Sequence, residues 1–463
     1  MKKGKVLSLL LVFIFISSMV FSGCSSKEEK TATAPAPSVT DAAADSAGGA
    51  ADAAQEGAEV TPSGKIVEWN WNELMCQNLK EIYNKQFPDV DYEYVIVNTS
   101  DYMQKLQITI ASGGEMPDII LGESAFRGAL FSLDILENLE SAPYNFDRNE
   151  LIDAVVPGLS NDRGELVGFD QQFCAAGWAY RRDLTEKYFG VSEPEDVAAL
   201  LSDWDSFIAA GKKLAEQTKD VYMLASIQDL LDCAYLQNAS DYIDGMTIDL
   251  TSRFSPAFDL ITKVRDAGVP LGNMEQGSTE WNASYAKGNV IFYNMPSWGS
   301  KTYVAGNAPE TEGKGLWGLV KAPGNGFLRG GTSVGIYSGS ENKDTAYAML
   351  KYLYTTTEGA SQMYDRMGYI YSFKDFYEGD NSPINKAGFY DGYYNGQNIG
   401  KYFYEQIAPT TVSEPMSYYT SSVNDALTGV KAMLLADSSM TSEEALKTLM
   451  DETALNATGA TIK

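Results

Sequence analysis

The side chains with chemistry to offer in this chain are carboxylates, phenols and indoles. Histidine is absent from all 463 residues. That removes Ser-His-Asp and Cys-His catalysis, His-rich zinc sites and an imidazole pH switch. Gly331-Thr332-Ser333-Val334-Gly335 has the spacing of a nucleophile elbow, which needs a histidine partner. Gly313-Lys314-Gly315-Leu316-Trp317-Gly318 fits the dinucleotide pattern, which needs a strand before it and a helix after it. Here Gly306-Asn307-Ala308-Pro309 precedes and an apolar run ending at Pro323 follows, so the segment reads as a loop and a strand. Paired carboxylates about 5 to 9.5 Å apart could hydrolyse a glycosidic bond. With 62 acidic residues, such pairs are uninformative in sequence. The pairs Tyr393-Tyr394 and Tyr418-Tyr419 could hold ferric iron if carboxylates joined them. Cysteines stand at 24, 76, 174 and 233, with no Cys-x-x-Cys pair for zinc or thiol redox chemistry. The last three allow one disulfide or three buried thiols. What remains is recognition chemistry, carried by 7 tryptophans, 28 tyrosines and polar residues at strand ends.

Length allows two or three domains. A net charge of -27 argues against nucleic acid or anionic lipid as a direct partner, since both need basic patches; solubility is the simpler use of this charge. Residues 1–23 read as an export signal. Lys2, Lys3 and Lys5 precede an apolar core, Val6 to Phe21, that is short and wrongly flanked for a membrane span. Phe21-Ser22-Gly23-Cys24 resembles the lipobox of bacterial lipoproteins, with phenylalanine in place of the usual leucine, and makes Cys24 the expected lipidated N-terminus. Residues 24–64 follow as an alanine-rich tether without an aromatic residue, unable to bury enough apolar surface to order itself. As a flexible coil it would reach on the order of 35 Å, holding an extracytoplasmic domain off the cell membrane.

The elements that must position a site come next. Lys65 to Asn70 reads as a strand ending in Trp69-Asn70-Trp71-Asn72-Glu73, then a helix to Gln86 and a turn at Pro88-Asp89. Val90 to Val97 alternates as a second strand. Asp101 is expected to cap a helix, with Gln104 completing a capping box and Met103, Leu106 and Ile110 forming its apolar stripe. Gly113 and Gly114 end that helix. Ile119-Ile120-Leu121 is a continuous apolar run, as in a strand buried on both faces. Glu123 follows it, at the carboxyl end where ligands bind in open α/β sheets. Alternating strands and helices imply a parallel or mixed sheet with helices on both faces.

The run from Lys65 to Glu123 (KIVEWNWNE…FPDVDYEYVIVNTSDYMQKLQITIASGGEMPDIILGE) resembles the opening of the extracellular solute-binding proteins, family 1. These are the sugar-type, maltose-binding-protein-like receptors of ABC importers. Later segments agree in order: Leu166 to Phe169, Trp178 to Leu184, Trp204 to Phe207, Tyr285 to Val290 with Met295 to Trp298, Lys343 to Gly359, and Gly368 to Ile370. The resemblance implies an α/β, type II periplasmic-binding-protein-like fold of two lobes, each a mixed sheet flanked by helices, joined by hinge crossovers. The first lobe would take residues 65–169 and 324–369, the second 170–323 and 370–463. Turn clusters at Pro323 to Gly326 and at Asp380 to Pro383 support these seams.

By position in the family pattern, Trp71, Asn72, Glu73 and Glu123 face the cleft. Trp298 stacks on the ligand, Tyr418 and Tyr419 begin a helix carrying a stacking aromatic, and Phe173 and Trp178 lie near the first crossover. Trp69 and Trp317 read as core. The glycine-rich stretch at Gly331 would approach the ligand. The expected function is a lipid-anchored, monomeric receptor without cofactor or metal. It would bind a carbohydrate, in particular an oligosaccharide, and deliver it to an ABC permease without catalysis. The rival readings are a glycan-acting enzyme, a ligand sensor on the same surface, and a receptor of this fold for a non-sugar solute.

Overall fold

The computed structural model describes residues 61–238, 241–309, 313–379, 382–385, 392–413 and 416–463. The expected signal, Cys24 and all but the last residues of the tether lie outside them.

Two sheets carry the two lobes. The first has the order β2 (Val90–Ile96), β1 (Gly64–Asn70), β3 (Ile119–Glu123), β12 (Thr332–Ile336), β4 (Phe169–Asp170). Strands β1, β2 and β3 run parallel, and β12 is antiparallel to both of its neighbours. The apolar run of β3 lies between β1 and β12, and Ile119, Ile120 and Leu121 have no exposed surface. The second sheet has the order β13 (Thr411–Val412), β11 (Gly326–Leu328), β5 (Ala175–Arg181), β9 (Val290–Pro296), β6 (Tyr222–Leu224). Strand β10 (Trp317–Val320) lies alongside β5. All seven positions of β5 and of β9 are buried, as their mostly apolar and aromatic character requires, with Arg181 and Asn294 the polar exceptions. A small third sheet joins β14 (Thr461–Ile462) to the hairpin of β7 (Ile243–Asp244) and β8 (Thr247–Ile248).

Helix α1 (Glu73–Gln86) follows β1 as expected, and Asn72 caps it by accepting the Met75 N–H at 3.0 Å. Helix α2 (Thr99–Ser112) begins earlier than expected. Its cap position is Asn98, so Asp101 lies inside the first turn, where its charge favours the helix dipole but closes no capping box. Its buried face is also rotated: Tyr102 and Leu106 point inward, whereas Ile110 is 40 % exposed. The cause is the Tyr102 hydroxyl. It donates to the Trp69 carbonyl and accepts the Leu121 N–H, both at 3.0 Å, pinning α2 across β1 and β3. Gly113 ends α2 in the left-handed region, φ 63°.

The lobes are joined where β4 leads to β5 through residues 171–174 and β11 leads to β12 through residues 329–331. The two crossovers are bonded to each other: Gln171 N–H to Thr332 O at 2.9 Å and Arg329 N–H to Cys174 O at 3.0 Å. Both expected seams shift. Strand β11 is hydrogen-bonded between β5 and β13, so the residues from Gly324 to Leu328 belong with the second sheet. Beyond Ile370 the chain stays tied to the first lobe, with Ile152 N–H bonded to Ser372 O at 2.7 Å and a bridge between Leu151 and Phe373. Ladder pairing decides these boundaries, and the turn clusters only lie near them.

The two discounted motifs sit as expected. Gly315 is a left-handed turn residue before β10. Ser333 lies within β12, its hydroxyl donating to Gly122 O at 3.3 Å. Cys76, Cys174 and Cys233 are free and buried.

Candidate functional site

The first lobe brings loops from the carboxyl ends of β1 and β3. Trp71 is half-buried, its ring edge-on to Tyr102 (5.4 Å) and Phe126 (6.2 Å). Asn72 is used by its cap, and Glu73 is exposed in the first turn of α1. Glu123 ends β3, half-buried. Its carboxylate accepts the Ser124 hydroxyl and the Ala125 N–H, each at 2.8 Å. It therefore shapes the turn into the short helix α3 (Arg127–Phe131). Arg127 is buried behind that turn, bonding Gly122 O at 3.1 Å and Gly158 O at 2.9 Å. Beside it, burial pushes the Asp170 carboxyl up to about 7, against the pull of Arg127 and the Ser372 hydroxyl.

The second lobe brings a denser polar network. Ser226 caps the helix Ile227–Leu236, which places Asp229 and Asp232 three residues apart on one face. Gln276 donates to Asp229 at 2.8 Å and to Asp232 at 3.1 Å, and the Trp281 indole N–H reaches Asp229 at 3.3 Å. Asp232 is ion-paired to Lys431, on the helix Thr420–Ala436, and to Arg329, on the second crossover, at 3.6 Å. Burial raises the Asp229 carboxyl. Burial acts on Asp232 too, but Lys431 and Arg329 outweigh it and hold that carboxyl below its ordinary range. Trp298 follows β9, packs edge-on against Tyr303 (5.1 Å) and donates its indole N–H to Arg329 O at 3.4 Å.

Among the described residues, three cavities of about 300 Å³ or slightly more lie between the lobes. One of about 300 Å³ separates Ser124 and Ala125 from Asp232, Gln276, Arg329 and Lys431. A second, also about 300 Å³, has Trp298, Ser300 and Lys301 on one side and Tyr364, Met367 and Gly368 on the other. The third, about 330 Å³, lies between Met103, Gln107, Phe126 and Ala129 and the pair Tyr418 and Tyr419. Gly128 brings the two sides together: a Cβ there would lie 2.0 Å from the Ser417 carbonyl oxygen, so only glycine fits.

Among the sequence-derived candidates, Trp298, Tyr418 and Tyr419 line these cavities, while Trp71 supports Phe126, which does. Glu123 adjoins the lining residue Ser124. Phe173 and Trp178, expected at the cleft, take no part in its surface. Trp178 has no exposed surface and packs against Trp204, Phe207 and Phe292 in the second lobe's core. Phe173 is wholly buried in the crossover, its N–H bonded to Ile370 O and its carbonyl to the Ser297 hydroxyl. A ring without exposed surface has no face to offer a solute. Trp69 and Trp317 are core residues as expected. Of the other tyrosine pair, Tyr394 is wholly buried and Tyr393 donates to Ala308 O. Among the described residues no cluster of three His, Cys, Asp or Glu side chains is placed to hold a metal ion, and no helix is long and apolar enough to cross a membrane.

Sequence reasoning missed Asp229, Asp232, Gln276, Arg329 and Lys431. A signal existed for the first two. The segment IQDLLDCAYL is apolar on nearly every side, so two carboxylates within it require buried partners.

Comparison with known proteins agrees with this architecture. Residues 78–388 match the family model described as bacterial extracellular solute-binding protein. A lactose-binding protein of Rhizobium radiobacter is 25% identical over 318 residues, covering 63% of this chain and 71% of the relative. An arabinooligosaccharide-binding protein of Halalkalibacterium halodurans is 24% identical over 385 residues, covering 79% and 82%. The crystal structure of an extracellular solute-binding protein of family 1 superposes with a TM-score of 0.74 at 20% identity, covering 85% of this chain and 99% of the other. The galacto-N-biose/lacto-N-biose I-binding protein of a Bifidobacterium longum ABC transporter superposes with a TM-score of 0.67 at 17% identity, covering 87% and 99%. The fold is the two-lobed, type II periplasmic-binding-protein-like one, and the chain belongs to the bacterial extracellular solute-binding proteins.

Proposed function

We propose that this protein is an extracytoplasmic receptor, lipid-anchored through Cys24, that binds an oligosaccharide between its lobes and delivers it to an ABC permease. The observation that carries the reading is the composition of the interlobe cavities. Aromatic side chains (Trp298, Tyr418) and fixed hydrogen-bonding groups (Asp232, Gln276, Arg329) line spaces of about 300 Å³ each. A saccharide has apolar C–H faces and polar edges, and such walls match both. Three such spaces between the lobes suit several sugar units better than one. The names of the relatives support a carbohydrate, and the family supports the extracytoplasmic setting.

The bonded crossovers between the lobes make closure around the ligand a hinge motion. Contacts made only in the closed form drive it as a population shift. On this reading the walls bind without transforming, and Asp229 and Asp232 are both engaged by Gln276.

Calorimetric titration of the protein with lactose, arabino-oligosaccharides and malto-oligosaccharides tests the reading. At least one should bind, and Trp298→Ala should weaken that binding about tenfold or more while leaving the melting transition cooperative. Absence of binding across the panel, with tight binding of a peptide or ferric iron, removes the assignment. Incorporation of labelled palmitate should disappear in Cys24→Ser; continued labelling would place the anchor elsewhere.

A further inference from the structure

The cavity between Ser124 and Asp232 is lined by two cations, Arg329 and Lys431, and one carboxylate, Asp232. Lys431 is ion-paired to Asp232. The Arg329 guanidinium stands 3.6 Å from the same carboxylate, beyond hydrogen-bond distance. Arg329 therefore keeps donors to spare: its Nη1 is buried and has no hydrogen-bond partner. The Tyr303 hydroxyl also interacts with this guanidinium, but it is neutral. Behind the lining, the Tyr235 ring lies under Lys431 at 5.7 Å and under a third cation, the buried Arg253, at 5.9 Å. The Nε and Nη1 of Arg253 have no hydrogen-bond partner either. Asp229 is the other carboxylate of the network; Gln276 and Trp281 hold it, and burial raises its pKa. Glu123 stands outside the lining, with its carboxylate engaged by Ser124 and Ala125.

We infer that this cavity is an anion subsite: Arg329 and Lys431 together take the carboxylate of an acidic saccharide, one with a uronic acid unit. The inference rests on the saccharide reading above and names the chemical class of one unit of the ligand.

The physical argument turns on unused donors and on the balance of charge. A carboxylate offers two acceptor oxygens and no donor. A guanidinium presents its N–H groups in a planar fork that matches this shape. Nη2 can stay turned to Asp232 while Nη1 serves a ligand oxygen. The Lys431 ammonium has three donors, and Asp232 occupies one side of it. A buried cationic donor without a partner is costly, and a ligand acceptor removes that cost. A sugar hydroxyl could accept there too, but a bond between two charged groups is the stronger one. Asp232 opposes an incoming anion. Lys431 alone offsets that charge, which leaves the charge of Arg329 to the ligand. The net charge of -27 opposes as well, yet at physiological salt exposed charges more than about 8 Å apart are largely screened. The lining cations act inside that range. Asn424 and Thr428 supply neutral polar groups for the ring hydroxyls. Arg329 also fixes where the acidic unit sits along the ligand. Its carbonyl accepts the Trp298 indole N–H, so a uronate held by its guanidinium adjoins the unit stacked on that ring.

The test is calorimetry with acidic oligosaccharides (trigalacturonate, triguluronate, a hyaluronan tetrasaccharide), each set against its own methyl ester. The ester keeps the shape and removes the charge. Lactose, arabinotriose and maltotriose serve as neutral reference probes. At least one acid should bind the wild type about tenfold or more tightly than its ester. In Lys431→Gln that ratio of acid to ester affinity should fall at least about fivefold. Esters bound as tightly as their acids overturn the anion subsite and leave the saccharide reading intact. So does binding of the neutral reference probes alone, or an unchanged ratio in a Lys431→Gln protein that melts cooperatively. Binding of no probe by the wild type removes the saccharide reading and the subsite with it. If Lys431→Gln does not fold, the wild-type ratio decides.

Discussion

Each lobe buries a carboxylate, and the two are held in opposite ways. In the first lobe, Glu68 on β1 is 2 % exposed and meets only neutral partners, the Asn70 amide at 2.6 Å and the Tyr92 hydroxyl at 2.9 Å. Burial pushes it up to about 7, with both hydrogen bonds pulling the other way. In the second lobe, Asp232 is 4 % exposed and meets two cations, which hold it below its ordinary range despite burial. Both carboxylates face structures that lead to the cleft. Glu68 fixes Asn70, whose side-chain oxygen accepts the Asn72 N–H at 2.9 Å and so holds the Trp71 loop. Asp232 faces the cavity itself. One lobe supports its wall from behind with a neutral network; the other places ionic groups where a ligand would touch them.

Removing Asp232 should disturb the second lobe most. Asp232→Ala strands Arg329 and Lys431 in a buried setting and should cost roughly 3–5 kcal/mol in urea unfolding. A loss below about 1 kcal/mol would mean that the cations find water or other partners, and the contrast with Glu68 would vanish.

The next effect is smaller and depends on pH. The folded state raises the Glu68 pKa above its ordinary 4.5, so it holds the proton more tightly than the unfolded chain does. The associated stability is fully present below pH 4.5 and is lost as pH rises through about 7. The total is on the order of 3 kcal/mol. Asp170, also raised to about 7, adds a slope of the same sign beginning near 3.8. Glu68→Gln should therefore flatten the fall in stability between pH 4.5 and 7 without abolishing it. An unchanged slope would show that Glu68 does not titrate there. Asp232 has the reverse sign: its contribution is present above the ordinary aspartate range and is lost only as pH falls through its lowered value.

The same contrast explains what the sequence made legible. First-lobe wall features are local. Asn72 caps the helix that starts one residue later, Glu123 bonds residues 124 and 125, and Gly113 stops α2 where a glycine pair predicts. Periodicity and turn chemistry reach that far. The second-lobe wall is built at long range. Gln276 meets residues 229 and 232, Trp281 meets Asp229, and Lys431 meets Asp232, so nothing in any one segment announces the network. Trp178 and Phe173 failed as candidates for a related reason. Aromatic type and nearness to a crossover do not say which way a side chain points, and both rings are buried in cores. Asp101 and the stripe of α2 were misplaced because the Tyr102 hydroxyl, bonding two strands at once, rotates the helix. The fold class was readable because the strand-and-helix order is long and regular.

On the proposed function a saccharide binds between the lobes and touches both. Amide hydrogen exchange on the protein, with and without a saccharide that calorimetry shows to bind, tests it most directly. The expected result is slowed exchange in residues 123–131 of the first lobe together with residues 227–236 and 418–431 of the second, with the helix Arg182–Phe189, none of whose residues lines a cavity, unchanged. Protection confined to one lobe, or found only on outer helices, would contradict a ligand held in the cleft.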